Sequence, residues 1–500
     1  MSAVATLGMD GAQAANRTWG GGGSGVVWSS NANWNGSGVS DGDSLTFAGT
    51  TKLSTTNDVL TSIGSITFSS GSGAFVLGGN AVTLTDNVTN NDDSIQTIDL
   101  GLNMSATRTL AATSGNIVMN GVLGQTAAAG LTKTGNFSLT LTNSNSYAGL
   151  TTISAGVLNI RHANALGTTA GATSLTSGAA LEIQGGITTA AEALTLNGTG
   201  ISSGGALRSI SGNNNYAGAI TLGTAARINS DAGTLTLSGG VGGNFAKTFG
   251  GSGNISVTTS AISGSGGIVK DGSGTVRLGV TNTYTGGTTV SAGTLLANAT
   301  SATSSGAVSV ASTSTLGGTG SIAPTGTNGI SVSGVLAPGD GVGSVGTLTF
   351  NMSGTAGTAS MAGGSSFAYD LGLAGLNITS LGSSDLLAIA GAASGDFAFN
   401  GNSINFLGTG TNGFYKLFDT SSDNANTWTG LTFNGTTGVI TAGLTVSNLT
   451  SGKTGTLIVG TASNGGNVGD IYLQVVPESS SMLLAGLGSC LLLRRRRNPS

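Results

Sequence analysis

Two pairs of acidic residues have the types and spacing most suited to chemistry: Asp41 with Asp43, and Asp92 with Asp93. Neighbouring carboxylates serve as calcium ligands, or as the acid and base that cleave polysaccharides. The same residues also have a simpler interpretation, because Asp41-Gly42-Asp43 has the composition of a turn and Asp92-Asp93 that of a polar loop. The sequence therefore leaves open a calcium site, a catalytic pair or two turns.

Other groups that support catalysis are scarce. His162 is the single histidine, so neither a histidine-based triad nor a zinc site of several histidines has support, and we expect this corner residue to be solvated. Glu182 and Glu192 lie in strand-like segments, where we expect both to face solvent. The single cysteine, Cys490, leaves the chain without an internal disulfide. We predict no catalytic residue, no cofactor and no metal.

Charged residues make up only 7% of the chain, with a formal net charge of −4. Four of the 16 basic residues are the arginines at 494–497; without them 12 basic residues face 20 acidic ones, a net charge of −8. Binding to phosphates needs clustered lysine and arginine, so nucleic acid is not an expected partner. With 38% hydrophobic residues and 89 glycines, the composition indicates a packed core built from small residues.

The C-terminal residues 476–500 form a separate segment in which a polar motif precedes an apolar stretch and a basic cluster. The motif and the cluster consist of Val476, Pro477, Glu478 and Ser479, and of Arg494, Arg495, Arg496 and Arg497. The apolar stretch, 480–493, can enter a bilayer as a short helix, whereas adjacent arginines resist translocation. A full span needs about 20 residues, so this stretch suits a transient membrane contact.

This tail resembles the PEP-CTERM sorting signal of bacteria, in which a Pro-Glu-Pro motif, a hydrophobic segment and an arginine cluster occur in that order. The resemblance implies export and processing by an exosortase, a membrane protease. Ser479 stands where that family usually has a second proline, so an uncut C-terminal membrane anchor stays open as the alternative. At the other end, Ala-Gln-Ala at 12–14 has the pattern of a signal-peptide cleavage site, and we interpret residues 1–16 as a residual leader.

A repeated segment lies in the middle of the chain. Residues 130–158 align without a gap with residues 267–295, at an offset of 137, and a weaker copy lies between them. Each copy has a tyrosine followed two positions later by glycine: Tyr147 and Gly149, Tyr216 and Gly218, Tyr284 and Gly286. The tyrosines are 69 and 68 residues apart, which indicates a repeating structural unit. They either pack at a corner of that unit or form a stripe on which carbohydrate stacks.

Within each copy apolar and polar residues alternate, as Leu139 and Leu141 do on either side of Thr140. This period of two, broken by glycine and asparagine, predicts short strands joined by turns. A sandwich closes within about 100 residues, whereas a solenoid repeats one motif along its length. We therefore predict an all-β fold: a right-handed parallel β-helix over residues 17–350, with about 14 coils stacked at the strand spacing of about 4.8 Å.

The repeats have the form Asn-(Ser/Thr)-Tyr-(Ala/Thr)-Gly-x-Thr-Thr, followed by Ser-Ala-Gly-x-Leu, and they resemble autotransporter-associated β-strand repeats. Trp19, Trp28 and Trp34, and the segment 334–339, are similar to the opening and the late part of such passenger regions. The resemblance implies a β-helical passenger and a group of proteins that includes adhesins. Residues 351–475 are richer in aromatics, and we predict that they form a C-terminal β domain or cap over the exposed edge of the solenoid.

These observations predict an exported structural or adhesive solenoid of the cell surface or extracellular matrix. Its expected partners are the membrane, through the C-terminal segment, and the export and exosortase-type processing machinery, with extracellular polysaccharide as a further candidate. One alternative is a β-helical polysaccharide lyase or hydrolase that uses an aspartate cluster. A self-assembling matrix fibre is another.

Overall fold

A computed structural model describes residues 14–353, 356–376, 378–390, 397–407, 410–420, 428–449 and 452–478. The chain divides into two compact units, Met1–Gly242 and Gly243–Ser500. Most of the predicted leader, together with Ser479 and the predicted tail helix and arginine cluster, lies outside the described residues. The predicted domain limits at 17, 351 and 476 stay predictions.

The regular elements of the first unit are strands joined by turns, together with two 3₁₀ turns at Asn31–Trp34 and Ile201–Ser203. The strands are β1 Asn16–Trp19, β2 Ser44–Phe47, β3 Ser54–Asn57, β4 Ser62–Ile63, β5 Ile66–Phe68, β6 Val76–Gly79, β7 Val82–Leu84, β8 Val88–Asn90, β9 Gln96–Ile98, β10 Leu102–Met104, β11 Arg108–Ala112, β12 Ile117–Met119, β13 Leu123–Gln125, β14 Leu131–Thr134, β15 Ser138–Leu141, β16 Thr151–Ile153, β17 Val157–Ile160, β18 Ala172–Leu175, β19 Ala180–Gln184, β20 Ala193–Gly198, β21 Leu207–Ser211, β22 Asn214–Tyr216, β23 Ile220–Ser230, β24 Thr234–Leu237 and β25 Val241–Gly242.

The second unit is also built from strands. They are β26 Lys247–Gly250, β27 Asn254–Val257, β28 Ile268–Lys270, β29 Thr275–Leu278, β30 Thr288–Val290, β31 Gly293–Ala297, β32 Val308–Val310, β33 Ser314–Gly318, β34 Ser321–Ile322, β35 Ile330–Val332, β36 Val335–Pro338, β37 Thr347–Asn351, β38 Ala359–Met361, β39 Ser366–Tyr369, β40 Leu386–Ala390, β41 Phe397–Ala398, β42 Asn402–Phe406, β43 Gly413–Thr420, β44 Trp428–Thr429, β45 Thr432–Phe433, β46 Ile440–Ala442, β47 Leu444–Ser447, β48 Lys453–Val459 and β49 Ile471–Pro477.

In the first unit, strands of successive coils pair in parallel and form long ladders. One ladder runs β1-β2-β5-β8-β11-β14-β16-β18-β20-β23-β25. Another runs β3-β6-β9-β12-β15-β17-β19-β21-β23, and a shorter one joins β4, β7, β10 and β13. Each ladder gains one strand per coil, which is the arrangement of a parallel β-solenoid.

The second unit has the same arrangement, with ladders β26-β28-β30-β32-β35-β38-β41-β44 and β27-β29-β31-β33-β36-β39-β42-β47. The parallel ladder β34-β37-β40-β43 continues into the antiparallel strands β49 and β48. The described chain is an all-β parallel β-solenoid of about 14 turns, which confirms this part of the predicted fold class. The right-handed winding stays a prediction. The cap function of 351–475 stays a prediction.

The predicted alternation is confirmed at the repeats. Leu139 and Leu141 are fully buried and meet Ile117 and Met119 of the preceding coil, so one face of each strand forms a continuous apolar interior. At the N-terminal end, the interior contains Trp19, Trp28, Trp34 and Phe47, which form five ring pairs with centroids 5.1 to 6.3 Å apart. These rings are buried, and their edge-to-face contacts add to the stabilisation from burial.

Candidate functional site

The repeat tyrosines lie inside the coils. Tyr147 and Tyr284 are fully buried, and their hydroxyls lie 2.8 Å and 2.6 Å from the hydroxyls of Thr151 and Thr288, four residues later in each copy. Burial raises the pKa of both phenols well above its ordinary value, so both remain protonated and neutral. Packing at a coil corner is therefore the correct interpretation, and a carbohydrate-stacking stripe of exposed rings is wrong.

The third tyrosine finds a different partner. Position 220, four residues after Tyr216, is an isoleucine, and the Tyr216 hydroxyl instead donates to the backbone carbonyl of Glu192 at 2.9 Å. Position 220 is one of several at which the middle copy differs from the other two. The Tyr216 ring is buried like the other two, but its hydroxyl bonds a backbone carbonyl instead of a threonine hydroxyl.

An asparagine two residues before each tyrosine joins neighbouring coils. The Asn145 side chain accepts from the Leu123 backbone N–H at 2.9 Å and donates to the Ala165 carbonyl at 2.6 Å. These partners lie 22 residues earlier and 20 residues later, so one amide connects three successive coils. In the second unit Asn282 accepts from Ile262 at 2.7 Å and donates to Ala302 at 2.5 Å. We had not predicted this role.

The repeat glycines are required by a close approach of backbones. A Cβ atom at Gly149 would lie 2.5 Å from the carbonyl carbon and oxygen of Ala129 in the preceding coil. At Gly218 it would collide with the Glu192 carbonyl, and at Gly286 with the backbone of Gly267. No other residue fits there without displacing a neighbouring coil.

The aligned lysines are buried at the same corner. Lys133 Nζ donates to the carbonyls of Thr134, Gly135 and Ala155, at 2.8, 2.7 and 3.0 Å. Lys270 Nζ likewise donates to the carbonyls of Gly272 and Ala292. Ala155 and Ala292 are the alanines of the two Ser-Ala-Gly segments, so each lysine ties its own coil to the next.

The Lys133 ammonium group is hydrogen-bonded, but burial still disfavours its charge. It lowers the pKa of Lys133 to about 8. The glycine that follows each alanine, Gly156 or Gly293, has a φ of +66° or +67°, a conformation that favours glycine.

The acidic pairs predicted as possible sites act as turn and strand caps. Asp41 accepts from the backbone N–H groups of Thr61 and Ser62, at 2.7 and 2.9 Å, and the Ser62 bond is the largest factor lowering the pKa of Asp41. Asp43 is buried and bonds Arg17 Nε at 2.9 Å. Burial acts to raise the pKa of Asp43, but hydrogen bonds from backbone N–H groups and Arg17 outweigh it, and the net shift is downward.

The second acidic pair is not brought together. Asp92 is buried and accepts from the Ser94 backbone N–H at 2.9 Å, whereas Asp93 is exposed. Across the part of the chain that the structure describes, no group of three or more histidine, cysteine, aspartate or glutamate residues could hold a metal ion.

The solvated position predicted for Glu192 is wrong. Glu192 is 2% exposed; its Oε1 accepts from the Thr173 hydroxyl at 2.6 Å, and its Oε2 is buried without a hydrogen-bond partner among the described residues. Burial raises the pKa of Glu192 to about 7. Glu182 is half-buried and forms an ion pair with Arg208 at 3.2 Å. His162 lies in a turn, half-buried, and its Nδ1 accepts from the Asn164 backbone N–H at 3.1 Å.

A carboxylate pair that the sequence did not reveal lies in the second unit. Asp370 and Asp385 are buried and line a cavity of about 250 Å³ with largely apolar walls. Asp385 accepts from the backbone N–H groups of Gly346 and Asp370, at 2.9 and 2.7 Å, and Asp370 accepts from Gly343 at 2.7 Å. Burial raises the pKa of Asp385 to about 7, although these hydrogen bonds oppose the shift. The pair therefore fastens the glycine-rich segment 339–346.

The first residues of the predicted sorting motif belong to the last strand of the fold. Val476 and Pro477 end β49 and stand opposite Thr454 and Lys453 of β48. The backbone N–H of Glu478 donates to the Gly452 carbonyl at 2.9 Å. Within the described ranges, no helix has the length and apolar character needed to span a membrane.

Comparison with known proteins identifies the repeats. Residues 131–160 and 268–297 match the family model of the passenger-associated transport repeat. The adhesin BmaC autotransporter of Brucella suis biovar 1 (strain 1330) is 33% identical over 181 residues, which are 35% of this chain and 4% of that protein. No solved structure matches the chain significantly. These matches confirm the predicted autotransporter-type repeats, and the corner built by Asn145, Tyr147 and Gly149 lies within the first of them.

Proposed function

We propose that this chain is an exported, non-catalytic β-solenoid that acts at the cell surface or in the extracellular matrix as a structural or adhesive element. The observation that carries the proposal is the repeat corner. Its buried asparagine and lysine groups bond neighbouring coils, as Asn145 bonds Leu123 and Ala165, and its buried Tyr147 bonds Thr151 within the same coil. The asparagine and lysine residues hold successive coils together, which is a structural role. The similarity of 181 residues to a protein named as an adhesin supports a surface role.

We further propose that the tail sorts the protein through the membrane. The order of the motif at 476–479, the apolar stretch and the arginine cluster supports processing by an exosortase-type protease during export. The right-handed winding of the solenoid, and the role of 351–475 as a cap, belong to the same proposal. The near-universal right-handed crossover of parallel strands supports the handedness.

Localisation of the native protein tests this proposal. We expect intact protein in a surface or extracellular fraction, with a mature C-terminus near residue 478 when both ends are defined by mass spectrometry. Changing all four arginines at 494–497 to glutamine should leave an uncut chain in the membrane fraction. An extracellular protein that retains the arginine cluster would contradict the sorting mechanism. A protein confined to the cell interior would contradict the surface role.

The adhesive part of the proposal requires a separate assay. Cells that carry the gene should attach to polysaccharide-coated or abiotic surfaces better than cells from which it is deleted, and complementation should restore attachment. Equal attachment of the two strains to every surface would leave only the structural role.

A β-helical polysaccharide lyase or hydrolase is the second candidate. It is favoured by one observation, the buried Asp370 and Asp385 beside a cavity. Incubation of the purified protein with acidic and neutral polysaccharides, with calcium present, distinguishes the two functions. Cleavage that is lost in Asp385→Asn and kept in Asp93→Asn, a change at an exposed site, would establish the enzyme. We expect no cleavage by any variant.

A further inference from the structure

One column of outward-facing side chains in the first unit changes its character along the ladder. In β9, β12 and β15 the column contains Thr97, Val118 and Thr140 in register. The next four coils, β17, β19, β21 and β23, place larger planar polar groups at the same position: Asn159, Glu182, Arg208 and Asn229. Such a concentration of charge is unusual in a chain with only 7% charged residues.

These side chains bond one another across the coils. Asn159 Nδ2 donates to Glu182 Oε2 at 3.4 Å, and Arg208 Nη1 lies 3.2 Å from Glu182 Oε1. Arg208 also bonds Asp231 Oδ2 through Nε, at 2.8 Å, and through Nη2, at 2.6 Å. Asn229 Nδ2 donates to Asp231 Oδ1 at 2.7 Å. The guanidinium of Arg208 is therefore held in one orientation while more than a third of the side chain stays exposed.

Arg161 extends this surface at the corner after β17. Its Nε donates to Asn159 Oδ1 at 2.9 Å, and the residue is exposed. Among the described residues no other partner is bonded to its guanidinium, so its terminal N–H groups face solvent. On the last coil of the column, Arg227 Nε bonds Asn229 Oδ1 at 3.3 Å.

The charge of this surface is opposite to that of the chain around it. Arg161, Arg208 and Arg227 give three positive charges against the two negative charges of Glu182 and Asp231, a net charge of +1. The chain without its terminal arginine cluster has a net charge of −8. An anionic ligand is therefore attracted to this part of the first unit and repelled by most of the remainder.

We propose that this surface, the arginine face, binds an anionic polysaccharide whose sugar rings carry carboxylates. The arginine face consists of Asn159, Arg161, Glu182, Arg208, Arg227, Asn229 and Asp231. This inference rests on the proposed surface function and names the chemical class of its partner.

The geometry of the arginine face suits a sugar chain. Four coils at the strand spacing of about 4.8 Å span about 14 Å along the ladder, enough to contact a few consecutive rings. Asn159 and Asn229 are buried and hold the arginines in place. The partly exposed carboxylate of Asp231 can accept hydrogen bonds from ring hydroxyls, and the exposed guanidinium of Arg161 can bind a carboxylate in bidentate fashion. Because the side chains are already fixed by mutual hydrogen bonds, a ligand loses little free energy in ordering them.

The same geometry is poorly suited to nucleic acid. Two carboxylates of the face, Glu182 and Asp231, already neutralise Arg208, and they repel a dense row of phosphates. A polysaccharide has a lower charge density and many hydroxyls, so carboxylates on the protein surface act as hydrogen-bond acceptors for it.

The test uses the purified full-length protein with polygalacturonate as the anionic probe and dextran as the neutral one. We expect polygalacturonate to retard the protein in affinity electrophoresis at low salt. The retardation should decrease as the salt concentration rises. Dextran should not retard the protein. Arg161→Ala should weaken binding at least fivefold without changing the melting temperature, because it removes exposed N–H donors and no core contact. Arg161→Lys should recover part of the binding.

Arg277→Ala is the matched control, since Arg277 lies in the second unit and pairs with Asp340. It removes the same charge from the chain and should leave binding unchanged. Equal losses in Arg161→Ala and Arg277→Ala, equal retardation by dextran, or retardation by duplex DNA in place of polygalacturonate would each overturn the proposal.

The outcome is separable from that of the proposed function. If the purified protein ignores polygalacturonate while gene-bearing cells still attach to surfaces, the arginine face is not the binding site and the adhesive role remains. If the protein binds polygalacturonate but never leaves the cell, the inference holds and the surface function fails.

Discussion

The phenol of Tyr147 and the hydroxyl of Thr151 lie 2.8 Å apart in the dry interior of the first unit, and Tyr284 and Thr288 form the same pair in the second. A buried hydroxyl without a partner costs about 1–3 kcal/mol, so each member of the pair makes the burial of the other tolerable. The shared spacing Tyr-x-x-x-Thr in these two copies therefore corresponds to one contact, the hydrogen bond between the two hydroxyls.

A double-mutant cycle measures this bond. Tyr147→Phe and Thr151→Val should each lower the free energy of unfolding by about 1–2 kcal/mol, and the double variant should lose about 1 kcal/mol less than the sum, because the second change removes a group that is already unpaired. Urea denaturation of the full-length protein, with local hydrogen exchange, provides the values. Thr151→Val combined with Tyr284→Phe is the control, since these residues share no hydrogen bond, and its effects should add.

Replacing Gly149 by alanine tests the close approach between coils. The new Cβ would lie 2.5 Å from the Ala129 carbonyl group, so the coils must separate, and we expect a loss of about 2–3 kcal/mol. Gly25→Ala is the matched control, because no atom lies within 4 Å of its Cβ position and its φ is not positive. That variant should stay within about 0.5 kcal/mol of the parent. Similar stabilities of Gly149→Ala and Gly25→Ala would show that neighbouring coils can separate at little cost in free energy.

Glu192 should make the stability of the first unit depend on pH. Its pKa is about 7 in the folded protein, against an ordinary value of 4.5, so its contribution to stability is complete below pH 4.5 and is lost as pH rises to about 7. The shift corresponds to about 3 kcal/mol. We expect the melting temperature to fall across this window in the parent and in Asp93→Asn, and to fall less in Glu192→Gln. A parallel decline in Glu192→Gln would assign the effect to other groups.

Lys133 tests the balance between a buried charge and the bonds it makes. Lys133→Met removes the donor of three backbone carbonyls, and leaving them unpaired should cost about 2–3 kcal/mol. Hydrogen exchange should rise at the two corners that Lys133 joins, near Gly135 and Ala155. Thr132→Ala, on the outward face of the same strand, should cause a much smaller change. A stabilised Lys133→Met variant would mean that desolvation of the ammonium outweighs its hydrogen bonds.

The sequence predicted the strands, because apolar and polar residues alternate along them with a period of two. Leu139, Leu141, Val276 and Leu278 are buried as the alternation requires, since each strand has one face towards the interior. The copies at 131–160 and 268–297 could be recognised in the sequence because the structure restricts the residue type at several positions of each corner. Local pattern and stacking point to the same structure, and this agreement is why the solenoid was predictable.

The contacts between coils were not predictable from the pattern. The alternation predicted only that asparagine lies in the turns between strands. Asn145 and Asn282 do not have positive φ, and each joins neighbouring coils through its amide side chain. Glu192 follows a turn and has the sequence context of a solvated residue, yet the next coil covers it. The Asp370–Asp385 pair joins residues 15 positions apart through backbone hydrogen bonds, for which no sequence signal exists.

Because the Asn145 amide reaches both the coil laid down before it and the coil laid down after it, that rung cannot complete its polar contacts until its successor is in place. If the first unit folds coil by coil from its N-terminal end, the last folded coil has an unpaired amide donor. The next coil supplies the acceptor for this donor when it folds. The preceding turn therefore acts as a template that positions hydrogen-bonding groups for each coil that is added.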